Sequence, residues 1–295
     1  MKEARLRKTC LITGATRGIG LELALALARE GHDTILLGRD RARLAQAEED
    51  VTRAGQAAGA QCHGLLGDLS DMGDVARIGE EVKRRFDRLD LLVNNAGAIF
   101  PQHETTADGY EKTFALNHLA YFGLTLRLVP LLAAGSAGRI INVASRAHEG
   151  VDLDFNDLMH TRRYRPWRAY QRSKLANILF TRELARRLRP HSLETFAAHP
   201  GLVATHFGHE RHPGWSLLLW LARPWMLDVT AGAATPLHLA LAPTLAAGSG
   251  SYWARSKPVS PSSAALNDET ALRLWQASER LTGLVWEPPA PGTNL

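Results

Sequence analysis

Tyr170 and Lys174, within the stretch Ala-Tyr-Gln-Arg-Ser-Lys-Leu-Ala-Asn, set a phenol and an ammonium at positions i and i+4. On a helix that spacing leaves about 40° between the side chains, so both face the same space. A phenol with an ordinary pKa of about 10 exchanges protons poorly at neutral pH. A close cation draws that value down by roughly 1–3. Two further features accompany the pair: the run Thr13-Gly14-Ala15-Thr16-Arg17-Gly18-Ile19-Gly20, and Ser145 at the end of an apolar stretch. Together they suit acid-base chemistry at an oxygen, because an oxygen that gains charge requires a proton and a hydrogen-bond donor beside it.

The elements that must position these groups alternate. Residues 9–13, 34–37, 61–66, 89–93, 139–144 and 194–198 read as short apolar strands. Residues 19–29, 41–57 and 169–187 read as helices, the first with Ile19, Leu23 and Leu27 at i+4 steps and Leu21 and Leu25 widening its apolar face. Strands alternating with helices predict βαβ units and a parallel sheet covered on both faces, an α/β fold. Gly14, Gly18 and Gly20 fall between the first strand and the first helix. There glycine lets the backbone turn tightly and approach a phosphate, and the helix N-terminus offers N–H groups and a positive dipole. The spacing T-G-x-x-x-G-x-G differs from the G-x-G-x-x-G of other dinucleotide folds.

Of the 295 residues 45% are hydrophobic, enough for a globular core, and the formal charge is +5. The two cysteines, Cys10 and Cys62, lie in strand-like surroundings without metal-ligand spacing, which fits a reducing compartment. Arg162, Arg163, Arg165, Arg168 and Arg172 form the one basic cluster, read as a solvated face near an active-site mouth. No aromatic-interleaved surface or DNA-reading motif accompanies it, so no nucleic-acid partner is expected. The basic start (Lys2, Arg5, Arg7, Lys8) leads into too few apolar residues for a secretory signal. The most lipophilic segment, 215–227, is broken by Arg223 and Pro224 and falls short of the roughly 20 residues a membrane span requires. A cytoplasmic protein without a transmembrane segment is the expectation. One domain over 1–295 is expected, with a core at about 8–200, a substrate-side lid at about 201–230 and a loose tail at about 284–295. Phe207, Trp215, Trp220 and Trp225 would anchor the lid.

The ordered set Thr13-Gly14-x-x-x-Gly18-x-Gly20, Asp68-Leu69, Asn94-Asn95-Ala96-Gly97, Asn117, Ser145, Tyr170-x-x-x-Lys174 and Pro200-Gly201 resembles the short-chain dehydrogenase/reductase family over residues 8 to 283. The resemblance implies a Rossmann-type doubly wound sheet in a three-layer α/β/α sandwich, with a nicotinamide cofactor across the carboxyl ends of the strands. It implies Tyr170 as general acid-base and Lys174 as the group that lowers its pKa and holds the ribose. Ser145 would hydrogen-bond the substrate carbonyl, and Asn117 would hold a water in a proton relay. Cofactor contacts are implied for Gly14, Thr16, Arg17, Gly18, Ile19, Gly20, Arg39, Asp68, Leu69, Asn95, Ala96, Gly97, Tyr170, Lys174, Pro200, Gly201, Val203 and Thr205, with Asp68 and Leu69 flanking the adenine. Asn94-Asn95-Ala96-Gly97 would also serve as the turn that stabilises the sheet.

Finer matches, Asn142-Val143-Ala144-Ser145-Arg146-Ala147-His148, His199-Pro200-Gly201 and Leu274-Trp275-x-x-Ser278-Glu279-x-Leu281-Thr282-Gly283, are similar to the retinol dehydrogenase branch. That branch includes the WW-domain oxidoreductases and light-driven protochlorophyllide reductases. Ala144 stands where a serine is often found there. The chain shows neither the membrane anchor of many retinol enzymes nor a WW module, which argues against retinol itself. His118, next to Asn117, reads as a packing residue. Relatives assemble as dimers or tetramers through helices matching 110–132 and 169–187.

For the cofactor, Gly38-Arg39-Asp40 stands where an acidic ribose ligand would mark NAD. Arg39 offers a planar, permanently charged fork to a 2′-phosphate, and Arg17 can approach from the other side. Asp40 would cap the next helix or bind a ribose hydroxyl. NADP(H) is expected over NAD(H). The expected function is NADP(H)-dependent interconversion of a carbonyl and an alcohol on a hydrophobic small molecule. The alternative is an NADP(H)-binding sensor with incidental catalysis. Residues 215–227 would form a lid, a packed or dimer-facing helix, or a membrane contact.

Overall fold

A computed structural model of the chain describes residues 6–135, 138–201 and 228–289. Strands β1 (Thr9–Thr13), β2 (Asp33–Gly38), β3 (Cys62–Leu66), β4 (Leu91–Asn94), β5 (Arg139–Val143) and β6 (Glu194–His199) run parallel, with β7 (Tyr252–Ala254) beside β6. The last strand, β8 (Lys257–Val259), is antiparallel to β7. The order is β3-β2-β1-β4-β5-β6-β7-β8. The central strands are apolar on both faces because helices cover both. On one side lie α1 (Gly18–Arg29), α2 (Arg41–Gly55) and α7 (Val229–Leu241), whose Leu23, Leu44 and Leu239 share a core with Ile12, Leu36 and Val93. On the other lie α3 (Met72–Arg85), α5 (Ala120–Ala133) and α6 (Pro166–Leu188), whose Ile78, Leu124 and Phe180 pack with Leu11, Leu92 and Ile140. The result is a doubly wound α/β/α sandwich. Its strand order reverses between β1 and β4, where open parallel sheets leave a ligand crevice at the strands' carboxyl ends.

The six strands and three helices expected from the sequence are present, with ends displaced by at most three residues. Residues 89–93 are the largest offset among the strands: the strand begins at Leu91 and runs to Asn94. The helix expected over 169–187 starts earlier, where Pro166 takes a first-turn position. Proline suits that place because its missing N–H would have had no partner.

Buried polar side chains pin α5 and α6 to the sheet. Asn94 Nδ2 donates to Asn142 Oδ1 (2.8 Å) on the neighbouring strand and to Thr125 Oγ1 (3.0 Å) on α5. Asn142 Nδ2 donates in turn to Thr181 Oγ1 (3.0 Å) on α6. A buried donor left without a partner costs about 1–3 kcal/mol, so this ladder admits one register only.

Past residue 227 the chain returns through elements the sequence pattern does not predict: α7, β7, β8, α8 (Ser263–Leu266) and α9 (Asp268–Thr282). Trp275 of α9 is fully buried between Phe122 of α5 (5.0 Å) and Phe180 of α6 (5.9 Å, stacked), with the Arg187 guanidinium 4.2 Å over its ring. The helices expected to meet a second copy therefore carry α9 between them within the chain. The expected loose tail is corrected at its start. Leu284 packs on the same core, and Trp286 sets its ring 5.7 Å from Trp275 and donates its backbone N–H to Glu279 Oε1.

Lys112–Ala133, a continuous helical stretch of 22 residues with mean hydropathy 1.2, is long and apolar enough to cross a membrane. Burial of 78% of its apolar window inside the protein makes it a core helix. Trp275→Ala should lower the unfolding free energy by about 3–5 kcal/mol, the cost of emptying a large aromatic site. Denaturant titration of the variant against the parent reads that value, and a loss under about 1 kcal/mol would show that α9 does not hold α5 and α6 together.

Candidate active site

The glycine loop is shaped by close backbone approach. Gly14 has φ +64°, and a Cβ there would stand 2.9 Å from Ala96 Cα. A Cβ at Gly20 would stand 2.4 Å from the Gly14 carbonyl oxygen and 2.6 Å from Asn95 Nδ2. Gly18, with φ +59°, opens α1. Thr13 and Asn95 lock this loop to the end of β4. Thr13 Oγ1 accepts from the backbone N–H groups of Asn95 (2.8 Å) and Ala96 (2.9 Å), and Asn95 Nδ2 donates to the carbonyls of Thr13 and Gly14. Asn95 thus supports the loop rather than reaching away from it. Helices α2, α3, α7 and α9 have Asp40, Asp71, Asp228 and Asn267 as side-chain caps. Helix α1 has none, so its first N–H groups present themselves to an anion from outside the chain.

Beside that helix end, Thr16, Arg17, Arg39, Asp40 and Arg43 line a pocket. Asp40 plays the capping role: its Oδ1 accepts from Arg43 N–H (2.9 Å), and its Oδ2 pairs with Arg43 Nε at 3.4 Å. These contacts hold its carboxyl below the ordinary carboxylate range. Three guanidiniums facing one carboxylate make the pocket cationic. Arg43 was not among the expected contacts. Its signal was the capping spacing itself, which folds residue 43 back over residue 40. At the adenine side, Asp68 stays at the end of β3 with its Oδ1 held by Ser70. Leu69, expected to flank the adenine, has its side chain buried in the core.

Ser145, Tyr170 and Lys174 meet at the carboxyl end of β5. Ser145 caps a short 3-10 turn, Arg146–His148, through Ala147 N–H (3.1 Å), and its side chain lies close enough to the Tyr170 phenol to favour the phenolate. Lys174 Nζ donates to the Val143 carbonyl (2.9 Å) and lies 5.7 Å from the Tyr170 ring centre. A Cβ at Gly97 would come within 3.4 Å of that ammonium, so the turn after β4 closes over it. Asn117 sits in a π-helical segment, Ala115–Leu119, between α4 (Lys112–Phe114) and α5. Its amide protons go to Ala98 O (2.9 Å) and Ser173 Oγ (3.0 Å), and its Oδ1 accepts from Ala98 N–H. The side chain therefore clamps the β4 turn to α6. His118 packs as expected, buried against Ser278, where desolvation pushes its imidazole down to about 3.

One electrostatic expectation is reversed. Burial pushes the Tyr170 phenol up to about 12 against the effect of the nearby Ser145 side chain, and burial pushes the Lys174 amine down to about 7. Lys174 is buried while Tyr170 keeps part of its surface exposed, and for both groups loss of water is the largest cause. Tyr121, one turn after Asn117, was missed although the i+4 spacing announced it. Its ring lies 5.8 Å from Lys174 Nζ, and its buried hydroxyl has no hydrogen-bond partner among the described residues. Pro200 and Gly201 (φ +89°) follow β6 at the same end of the sheet. Val203, Thr205 and the expected lid anchors lie outside the described residues.

Residues 8–214 match the family described as short chain dehydrogenase. The chain belongs to that family. Within it, the chain falls in the retinol dehydrogenase-like branch. It is 38% identical over 281 residues to human retinol dehydrogenase 12, covering 95% of this chain and 88% of that protein. Human retinol dehydrogenase 13 is 38% identical over 300 residues, covering 96% and 88%. Among solved structures, an uncharacterized protein from Mycobacterium paratuberculosis superposes with a TM-score of 0.73 at 32% identity, covering 95% of each chain. Short-chain dehydrogenases are oxidoreductases that use a nicotinamide dinucleotide. The uncapped α1 terminus, the glycine turn and the adjacent cationic pocket fit such an anion. Gly20→Ala should raise the Kd for the dinucleotide about tenfold or more, equivalent to about 1.4 kcal/mol or more. Fluorescence titration with NADPH measures it, and unchanged binding would separate the loop from the cofactor.

Proposed function

We propose that this chain is an NADP(H)-dependent oxidoreductase that interconverts a carbonyl and an alcohol on a hydrophobic small molecule, with Tyr170 as the acid-base. The observation that carries the reading is the convergence of Ser145, Tyr170 and Lys174 at the end of β5, next to the glycine loop. When bound, the nicotinamide supplies or takes up the hydride. The Ser145 hydroxyl donates to the substrate oxygen and stabilises the charge that develops there. The Tyr170 phenol gives that oxygen its proton. A phenol at about 12 is protonated at neutral pH, the form that carbonyl reduction requires. Lys174, held by the Val143 carbonyl, would present its remaining donors to the ribose hydroxyls. Because both Asn117 amide protons are engaged, a water relay at this position would use its main-chain carbonyl.

Support for a hydrophobic substrate comes from Trp167. It is 48% exposed, and its ring centre lies 5.6 Å from that of Tyr170, giving an apolar surface beside the reactive phenol. Support for NADP(H) comes from Arg17, Arg39 and Arg43 around the pocket at the α1 terminus. A 2′-phosphate offers those guanidiniums the charge-assisted hydrogen bonds that a ribose hydroxyl lacks.

Tyr170→Phe should keep NADPH affinity and lower kcat with a lipophilic aldehyde by roughly 10²–10⁴-fold. Stopped-flow oxidation of NADPH checks this, and full activity in the variant would remove the mechanism. Tight NADPH binding by the parent with no turnover on any carbonyl would favour the sensor alternative instead. Arg39→Asp should weaken NADPH by about tenfold or more, as loss of one charge-assisted bond predicts, while leaving NADH within about twofold. Parallel titrations of the two nucleotides decide it; equal weakening of both would take the 2′-phosphate out of the account.

A further inference from the structure

His148 closes the 3-10 turn that Ser145 opens, and it is fully buried. Its Nδ1 lies 2.7 Å from the Ser145 carbonyl oxygen, which also accepts the His148 backbone N–H at 3.2 Å. Its Nε2 lies 3.0 Å from the backbone N–H of Ser262, the residue that caps α8. A backbone N–H only donates and a carbonyl only accepts. Nε2 must therefore carry the lone pair and Nδ1 the proton, and both partners independently demand the same neutral tautomer. The Tyr252 ring stands edge-on at 5.3 Å and fixes the plane of the imidazole.

We propose that His148 is a positioning residue for the oxidoreductase reaction: its neutral Nδ1–H tautomer ties the Ser145 turn to the segment that begins α8, and so holds the Ser145 hydroxyl where it meets Tyr170. The inference rests on the functional reading above. It goes beyond it because His148 touches neither the phenol nor the dinucleotide pocket. Protonation of Nε2 would set two donors against each other at Ser262 and release the turn. The groups facing the ring are Glu149 beside it, Tyr252 on β7, and His199 at the end of β6, with Arg146 and Arg255 also near His199. Burial holds the imidazole of His148 below its ordinary range, against the Ser145 carbonyl and Glu149. The neutral form thus persists through that range, and activity is lost as pH falls below it.

The test uses the full-length chain with NADPH and decanal as the probe aldehyde. Asparagine places an amide at the Nδ1 end of the ring, and glutamine places one at the Nε2 end. His148→Gln should lower kcat roughly 10–100-fold, the scale of a small misplacement in a reacting geometry, with the NADPH KM unchanged within about twofold. His148→Asn should recover most of that loss and abolish the acid limb of the kcat profile, having nothing to titrate. Ser262→Pro leaves the histidine intact, suits the native φ of −61°, and deletes the N–H that faces Nε2. It should move the acid limb upward, toward the ordinary histidine value of about 6.5. Equal kcat in the Asn and Gln variants, or an acid limb unmoved by Ser262→Pro, would overturn the proposal while leaving the oxidoreductase reading in place. A parent chain without turnover would end both.

Discussion

Dehydration of one ammonium governs the arrangement at the end of β5. Lys174 is 3% exposed, and its Nζ donates to the Val143 carbonyl at 2.9 Å. An ammonium in such a place loses much of its preference for the charged form, as its fall to about 7 shows. Any drift of α6 away from β5 would separate Nζ from that carbonyl and leave a buried donor without a partner. The Asn94–Asn142–Thr181 ladder prevents the drift from below, and the Asn117 clamp prevents it from the side. Several buried polar side chains thus meet at one joint, between β5 and the helix that carries Tyr170.

The sheet and the glycine loop were legible because both depend on local pattern. Apolar runs of four to six residues, glycines at 14, 18 and 20, and an aspartate one residue before a helix each carry their meaning within a few positions. Asp40 was readable as a cap for that reason. What escaped depends on distance through space. The direction of the Tyr170 shift follows from how much water the folded chain excludes, and no neighbour in sequence reveals that. The side chain of Leu69 enters a core with Val75 and Ile78, a destination its place next to Asp68 does not reveal. The partner of His148 lies 114 residues away at Ser262, so the tautomer is invisible until the fold closes.

The return of the chain after residue 227 shows the same limit in a different form. Nothing in the periodicity of 268–282 announces that Trp275 will stand between Phe122 and Phe180. The amphipathic pattern gives an apolar face but not its destination. Once in place, α9 occupies a face that would otherwise be open for association, and it brings Trp286 with it. The two ends of the described chain therefore serve different needs. The first elements build the crevice, and the last ones cover the helices that support it.

The strand β8 closes the sheet with three exposed residues, Lys257, Pro258 and Val259, running against the direction of their neighbour. An exposed strand is a template on which a further strand from another molecule can add. Here the template is short, carries a charge, and lacks one N–H at its centre because that residue is proline. Recruitment of a foreign strand at this border is disfavoured, so self-association of the folded chain by continuous sheet extension is discouraged at the edge where the parallel order ends.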